Sequence, residues 1–229
     1  MTYNLAIVCF ANSRKKLGRC VAGKIRHGNG TFGEWIRPVG NHGDKALSAH
    51  DTRYEGSIDP SLLDIMNITF LQKDPHDHQP ENHLIDPNFY WERLEKITFS
   101  RATGALDPPQ SDLWGLSSDT SYHGRFDRVP LADAAAFNYS LRLIAVEDLT
   151  VRVCVESANF GDMKKKLRGY FTYAKHNYAL MVTDPVRESI YLPQAENTYN
   201  IGSAILCISL GEPYNGYAYK LIAGVILPS

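Results

Sequence analysis

Short apolar and alternating runs dominate the hydrophobic pattern of the chain, and no long stretch has the 3.6-residue period of a helix. Residues 4–11 form a continuous apolar run of strand length, and residues 19–26 and 34–39 follow as two further strand candidates. Three glycines and an Asn-Gly pair within residues 27–33 predict a hairpin turn between the last two. We expect these strands to form a β-meander, which is a common beginning of a five-stranded barrel.

Further strand candidates follow in the rest of the chain. A strand is predicted from near Asp64 to residue 72, and Asp86 with Pro87 predicts the start of a short helix over residues 88–96. The segment 161–166 is predicted to be a basic loop. The later strand candidates are residues 140–146, 151–156, 167–173, 178–184, 204–210 and 217–227. The pattern favours a mostly β fold with minor α content, as a barrel or a sandwich, over an α/β fold.

Composition is ordinary for a globular protein, but the charge is unevenly distributed. The net charge is −1 over 229 residues, with 44% hydrophobic residues. Residues 1–33 contain no acid, and the count of basic residues there is about +6. These basic residues are Arg14, Lys15, Lys16, Arg19, Lys24 and Arg26. A concentrated basic segment in a neutral chain favours a local site for a polyanion.

The cysteines and the apolar runs indicate the compartment. Cys9, Cys20, Cys154 and Cys207 are widely spaced in apolar runs, which is typical of free thiols in a reducing compartment. No apolar run approaches the ~20 residues of a membrane span, and the N-terminus lacks the pattern of a signal peptide. We therefore expect a cytoplasmic protein without a membrane partner.

The first candidate site is the basic stretch of residues 11–38. Its basic strand and an aromatic side chain suit a phosphate backbone with unstacked bases. Arg19 and Arg37 are instead able to pair with acids and lock the fold, and that alternative stays open. The predicted phosphate contacts are Arg14, Lys15, Arg19, Lys24 and Arg37, and the predicted stacking residue is Trp35.

The second candidate site is a lysine run followed by an aromatic strand. Lys164, Lys165 and Lys166 precede the sequence LRGYFTY, in which Tyr173 is a candidate for stacking. A solvated lysine run beside core aromatics is the alternative.

A loop rich in histidine and carboxylate residues supplies an enzymatic alternative. His76, His78, Glu81 and His83 are able to ligate a divalent metal, which would make the protein a metal-dependent phosphoesterase or nuclease. The motifs HExxH, GxSxG and GxxxxGK[ST] are absent, and the GxGxxG match at residues 28–33 lacks the strand-to-helix context that a nucleotide-binding loop needs. We therefore predict no catalytic residue, no metal and no cofactor. A protein–protein interaction module is the third class considered, because a fold does not by itself determine a function.

Several motifs in order resemble one family over nearly the whole chain. ANSRK, GRCVAGK, GEWIRPV, LLDI, QPEN, LRGYFTY, NYALMVTDP and CISLGEPYNGYAYKLIAGVI are similar to the bacterial dual-OB domain family. The resemblance implies two OB-like β-barrels in tandem with long irregular loops, and a role in binding nucleic acid. It implies no catalytic residue set. We place the two domains at residues 1–133 and 134–229, and expect the partner to be single-stranded or structured RNA or DNA.

Overall fold

The computed structural model describes residues 2–15, 18–41, 43, 45–55 and 59–228. The chain forms two compact units, each organised around its own β-sheet. The first unit comprises the chain up to Leu106 with Asn138–Ser140, and the second comprises Asp107–Phe137 with Leu141–Pro228.

The first unit is a closed five-stranded barrel with one added strand. Its order is β1-β2-β3-β5-β4, and pairing of β1 with β4 closes the ring. β3 and β5 are parallel, and β6 pairs with β4 at the end of the sheet. A short helix, α1, and a 3₁₀ turn over Thr103–Ala105 follow β6. The bounds are β1 Tyr3–Lys15, β2 Gly18–Arg26, β3 Phe32–Val39, β4 Asp64–Lys73, β5 Asn82–Ile85, β6 Glu92–Lys96 and α1 Phe99–Ala102.

The second unit repeats this connectivity. Its five barrel strands have the order β8-β9-β10-β12-β11, closed by the pairing of β8 with β11, and β10 and β12 are parallel. β7 adds to the edge of β12, and α3 joins the third barrel strand to the fourth. The bounds are β7 Arg128–Pro130, α2 Leu131–Ala134, β8 Leu141–Ser157, β9 Asp162–Tyr173, β10 His176–Val182, α3 Pro185–Tyr191, β11 Asn197–Tyr214 and β12 Tyr217–Ile226.

Alternation along the strands places apolar side chains inside each barrel. In the first barrel Ile7, Cys9 and Ile36 point into one buried cluster with Met66 and Ile68. In the second, alternate residues of β8 and β9 are likewise buried. These include Leu149, Val151, Val153, Leu167 and Phe171.

The predicted mostly β fold with two OB-like barrels is confirmed, and three local predictions are wrong. Residues 88–96 are not a helix, because 92–96 pair with β4, although Asp86 does accept the N–H of Asn88 at 3.1 Å. Residues 162–166 belong to β9 and not to a loop. The two strands predicted at 140–146 and 151–156 are the single strand β8.

The division of the chain also differs from the predicted boundary at residues 133 and 134. Residues 107–137 belong to the second unit. The physical reason is that β7 pairs with β12, as Val129 lies opposite Ala218. Among the described residues, no helix has the length and apolar character needed to cross a membrane.

We predict that Gly23→Ala destabilises the first barrel. A Cβ at Gly23 would lie 2.2 Å from the carbonyl oxygen of Val8 on the neighbouring strand, so the backbone must shift. Overpacking of this kind costs about 1–3 kcal/mol of unfolding free energy, measurable by urea denaturation. Gly28→Ala is the matched control, since no atom lies within 4 Å of its Cβ position. Equal stability of the two variants would contradict the strand packing.

Candidate functional site

Lys24 is buried and does not present its charge to solvent. It lies opposite Trp35 in the pairing of β2 with β3, and its side chain is covered, with 7% of its surface exposed. Its Nζ donates to the carbonyl oxygen of Ala105 at 2.7 Å and lies 5.2 Å from the centre of the Trp35 ring. Trp35 is half-buried and packs edge-on against Phe10, with 6.0 Å between ring centres. The 3₁₀ turn over Thr103–Ala105 therefore covers Lys24 on this outer face of the barrel.

Arg37 is a structural residue of the first unit. Its guanidinium donates from Nη2 to Oε1 of Glu81 at 2.9 Å and to Oγ of Ser140 at 2.7 Å. Nη1 donates to Sγ of Cys20 at 3.1 Å, and only 3% of the residue is exposed. Burial disfavours its charged form, but Cys20 and Glu81 outweigh burial and raise the pKa of Arg37. The predicted phosphate role of Arg37 and Lys24 is therefore corrected, because each is buried on a partner within the fold.

Arg14, Lys15 and Arg19, the other predicted phosphate contacts of the stretch, lie at the end of β1 and the start of β2. Arg14 is exposed and lies opposite Arg19, which is half-buried like Lys15. Lys16 lies outside the described residues.

The lysine run is divided between the two faces of β9. Lys164 is exposed, and Lys166 forms an ion pair of 3.0 Å with Asp162. Lys165 points to the other face, where its Nζ donates to the carbonyl oxygen of Gln194 at 2.7 Å. Tyr173 is half-buried, and its hydroxyl accepts the N–H of Gln110 at 3.0 Å. The structure thus brings Lys164 and Lys166 to one face but separates Lys165 and Tyr173 from them.

A pocket of about 570 Å³ opens on the outer face of β8, β9 and β10. Segment 122–125 forms one wall, where Arg125 pairs through its backbone with Ala179 of β10. The outward residues of β8 and β9 form another wall. The lining consists of Tyr122, His123, Gly124, Arg125, Asp148, Thr150, Arg152, Tyr170, Phe171, Thr172, Asn177 and Tyr178.

The pocket combines two arginines with accessible aromatic rings. Arg125 and Arg152 are both exposed, and Tyr122 is 72% exposed. A hydrogen bond to Tyr170 raises the pKa of Arg152, so its guanidinium is charged and held beside an aromatic ring. His123 lies edge-on to Tyr122, with 4.3 Å between ring centres.

The polar end of the pocket is built around one carboxylate. Asp148 accepts the backbone N–H of Thr172 at 3.0 Å and its hydroxyl at 2.6 Å. The same hydroxyl lies 3.0 Å from Oδ1 of Asn177. This end offers hydrogen-bonding groups to a ligand, whereas Arg125 and Arg152 offer positive charge.

A buried ion pair fixes the sheet next to the pocket. Arg168 donates from Nε and Nη2 to the two carboxylate oxygens of Glu156, each at 2.7 Å. Its Nη1 lies 3.7 Å from Oδ2 of Asp127. Burial raises the pKa of Tyr178, in the pocket wall, to about 12, so that hydroxyl stays protonated at neutral pH. The pocket wall is therefore preorganised, and the exposed charged residues that line the pocket are Arg125 and Arg152, with Asp148 at the polar end.

Sequence reasoning missed this pocket. Segment 122–125 lies in a stretch without periodicity, and nothing in the sequence shows that it folds onto β10. Arg152 was detectable, because it alternates with Val151 and Val153 in a strand whose opposite face is apolar.

The histidine-rich loop does not gather a metal site among the residues that the structure describes. Glu81 pairs with Arg37, and Nδ1 of His83 lies 2.7 Å from the hydroxyl of Tyr3. His76 lies 3.3 Å from Asp77, and His78 is buried. These side chains serve different structural contacts, so the geometry does not support the phosphoesterase alternative.

The chain belongs to the dual OB-containing domain family, which matches residues 5–225. This match agrees with the two barrels of identical connectivity described above. No curated protein matches the chain. Among solved structures, the tetrameric p202 HIN2 aligns over 99% of this chain and 96% of that chain, at 8% identity and a TM-score of 0.31. A score this low supports no argument about this protein.

We predict that Arg37→Ala lowers the unfolding free energy by about 3–5 kcal/mol, because Glu81 then remains buried without its cation. The double substitution of Arg37→Met with Glu81→Met should cost less than the sum of the two single changes. Arg14→Ala, on an exposed residue, is the control and should change stability by less than about 0.5 kcal/mol. Urea denaturation measures all of these variants, and an Arg37→Ala protein as stable as wild type would restore a ligand role for Arg37.

Proposed function

We propose that this protein binds single-stranded or unpaired nucleic acid, mainly through the pocket on β8, β9 and β10. The observation that carries the proposal is the juxtaposition of Arg125 and Arg152 with Tyr122 and Tyr170 around one cavity. OB folds generally bind oligonucleotides on the face of their second and third strands, which in the second unit are β9 and β10.

The chemistry of the pocket suits an unstacked base with its phosphates. Aromatic rings stack on bases of any identity, and each such contact contributes about 1–3 kcal/mol to binding. Arginine guanidinium groups bind phosphate oxygens through two parallel hydrogen bonds. Because Asp148 repels phosphate, the backbone is expected at Arg125 and Arg152, with a base edge toward Asp148.

Each unit also contains one further basic group. Lys164 and Lys166 lie on the same face of β9 as Tyr170, by the two-residue repeat of the strand. In the first unit, Arg14 and Arg19 lie opposite one another at the end of β1 and the start of β2. We propose these as secondary phosphate contacts, with Lys15, and we no longer include Lys24 or Arg37.

The proposal predicts separable losses in binding of labelled single-stranded RNA and DNA. Replacing Arg125 and Arg152 together by Gln should reduce the slope of log affinity against log salt by about 1.4, since each phosphate contributes about 0.7 on single strands. Tyr122→Ala should weaken binding about 5- to 150-fold through lost stacking, with a smaller change in the salt slope. Fluorescence anisotropy across a salt series measures both quantities.

Arg101→Gln is the matched control, because Arg101 is an exposed arginine on α1 of the first unit. It should leave the affinity unchanged, and circular dichroism should show that every variant is folded. Equal affinity of the wild type and the double Gln variant would overturn the pocket as the site. No binding of RNA, DNA or duplex at low salt would overturn the function itself.

A further inference from the structure

The exposed apolar side chains of the first unit are concentrated in one region. Among its described residues, the large hydrophobic side chains that are exposed are Leu71, Phe89, Tyr90 and Leu94. Three of them lie in or directly before β6, and all five residues of β6 are exposed. β6 is the terminal strand of its sheet and pairs only with β4 among the described strands. Its other edge is therefore accessible to a partner strand.

The open edge of β6 has a defined length. Immediately before β6, Trp91 donates its N–H to the carbonyl oxygen of Arg53, and Tyr54, the residue after Arg53, forms a parallel bridge with Trp91. The edge is therefore already paired at Trp91. The register shift in the pairing with β4 leaves Leu94 as the extra residue of a β-bulge. The free ladder is thus limited to Glu92–Lys96, with a half-exposed leucine at its centre.

We propose that β6 pairs antiparallel with β6 of a second copy of this chain, about a two-fold axis at Leu94. In this register Glu92 lies opposite Lys96 of the second copy. Arg93 lies opposite Glu95 of the second copy, and Leu94 meets its own equivalent. The symmetry repeats each charge pair, so the interface contains opposite charges throughout.

The charge order selects this register over its neighbours. A shift of one residue in one direction places Glu92 opposite Glu95, and a shift in the other places Arg93 opposite Lys96. Each of these like-charge contacts occurs twice by symmetry and is destabilising. A second copy is therefore the occupant that the sequence of β6 itself specifies, because the strand is complementary in charge to its own reverse.

The expected dimer is closed and weak. A two-fold contact uses the same edge on both copies, so it leaves no free edge to extend into a fibre. Only five residues pair on each side, which places the interface among the small, transient ones. Its ion pairs are exposed, so dissociation should increase with salt.

The test uses charge swaps followed by sedimentation equilibrium, from about 10 μM to about 1 mM protein. Glu92→Lys alone places a lysine opposite Lys96 of the second copy, and Lys96→Glu alone places a glutamate opposite Glu92. Each single variant should raise the dimer dissociation constant at least about tenfold. An equimolar mixture of the two variants should associate like the wild type, because both cross-strand contacts are again of opposite charge.

The mixture distinguishes a role in dimer pairing from a role in the stability of the monomer. If a substitution only destabilised its own barrel, adding the other variant would not restore dimer formation. Lys175→Glu, on an exposed lysine in the β9–β10 turn, is the control and should leave the wild-type dissociation constant unchanged. A monomeric wild type throughout the concentration range would overturn the proposal. Dimers that persist in both single variants would also overturn it, since another surface would then hold them.

Discussion

The parallel pairing of the third barrel strand with the fifth is the constraint on which both units depend. Without β3 on β5 and β10 on β12, each unit would be an open sheet with two free edges. This parallel contact is short in the second unit, with two residue pairs between β10 and β12. The long strands β8 and β11 can curve around the barrel because register shifts interrupt their pairing near Gly202.

Closure decides which side chains are available for chemistry. Inside each barrel the side chains are apolar, so any ligand must meet the outer face of the sheet or a loop. In the first unit the 3₁₀ turn after α1 contacts Lys24 and covers part of the outer face of the barrel. In the second unit segment 122–125 lies along the outer face but leaves a pocket between itself and β8–β9. The outer face is therefore covered at Lys24 in the first unit, whereas in the second unit it contains an open pocket.

Charge is used in two ways in this molecule. Arg37 with Glu81 and Arg168 with Glu156 form buried ion pairs. Removing one partner of such a pair destabilises the fold, because the other charge is then buried without compensation. Arg125 and Arg152 instead lie in solvent beside aromatic rings, where a guanidinium remains free to exchange water for phosphate. The number of basic residues in a sequence does not separate buried, paired arginines from exposed ones, because the two kinds differ only in their burial in the folded structure.

The sequence alone determined the β-rich class, most of the strands and the family resemblance. Apolar alternation and hairpin glycines are local signals, and each strand carries its own. The same alternation was enough to direct Arg152 and Tyr170 away from the core. Tertiary structure decided that β6 is a strand, since pairing with β4 overrides a local helix-start signal at Asp86. It also decided that Arg37 is structural and that segment 122–125 forms a pocket wall. These outcomes depend on contacts between residues far apart in the chain, such as Arg37 with Ser140 and Arg125 with Ala179, which no local pattern encodes.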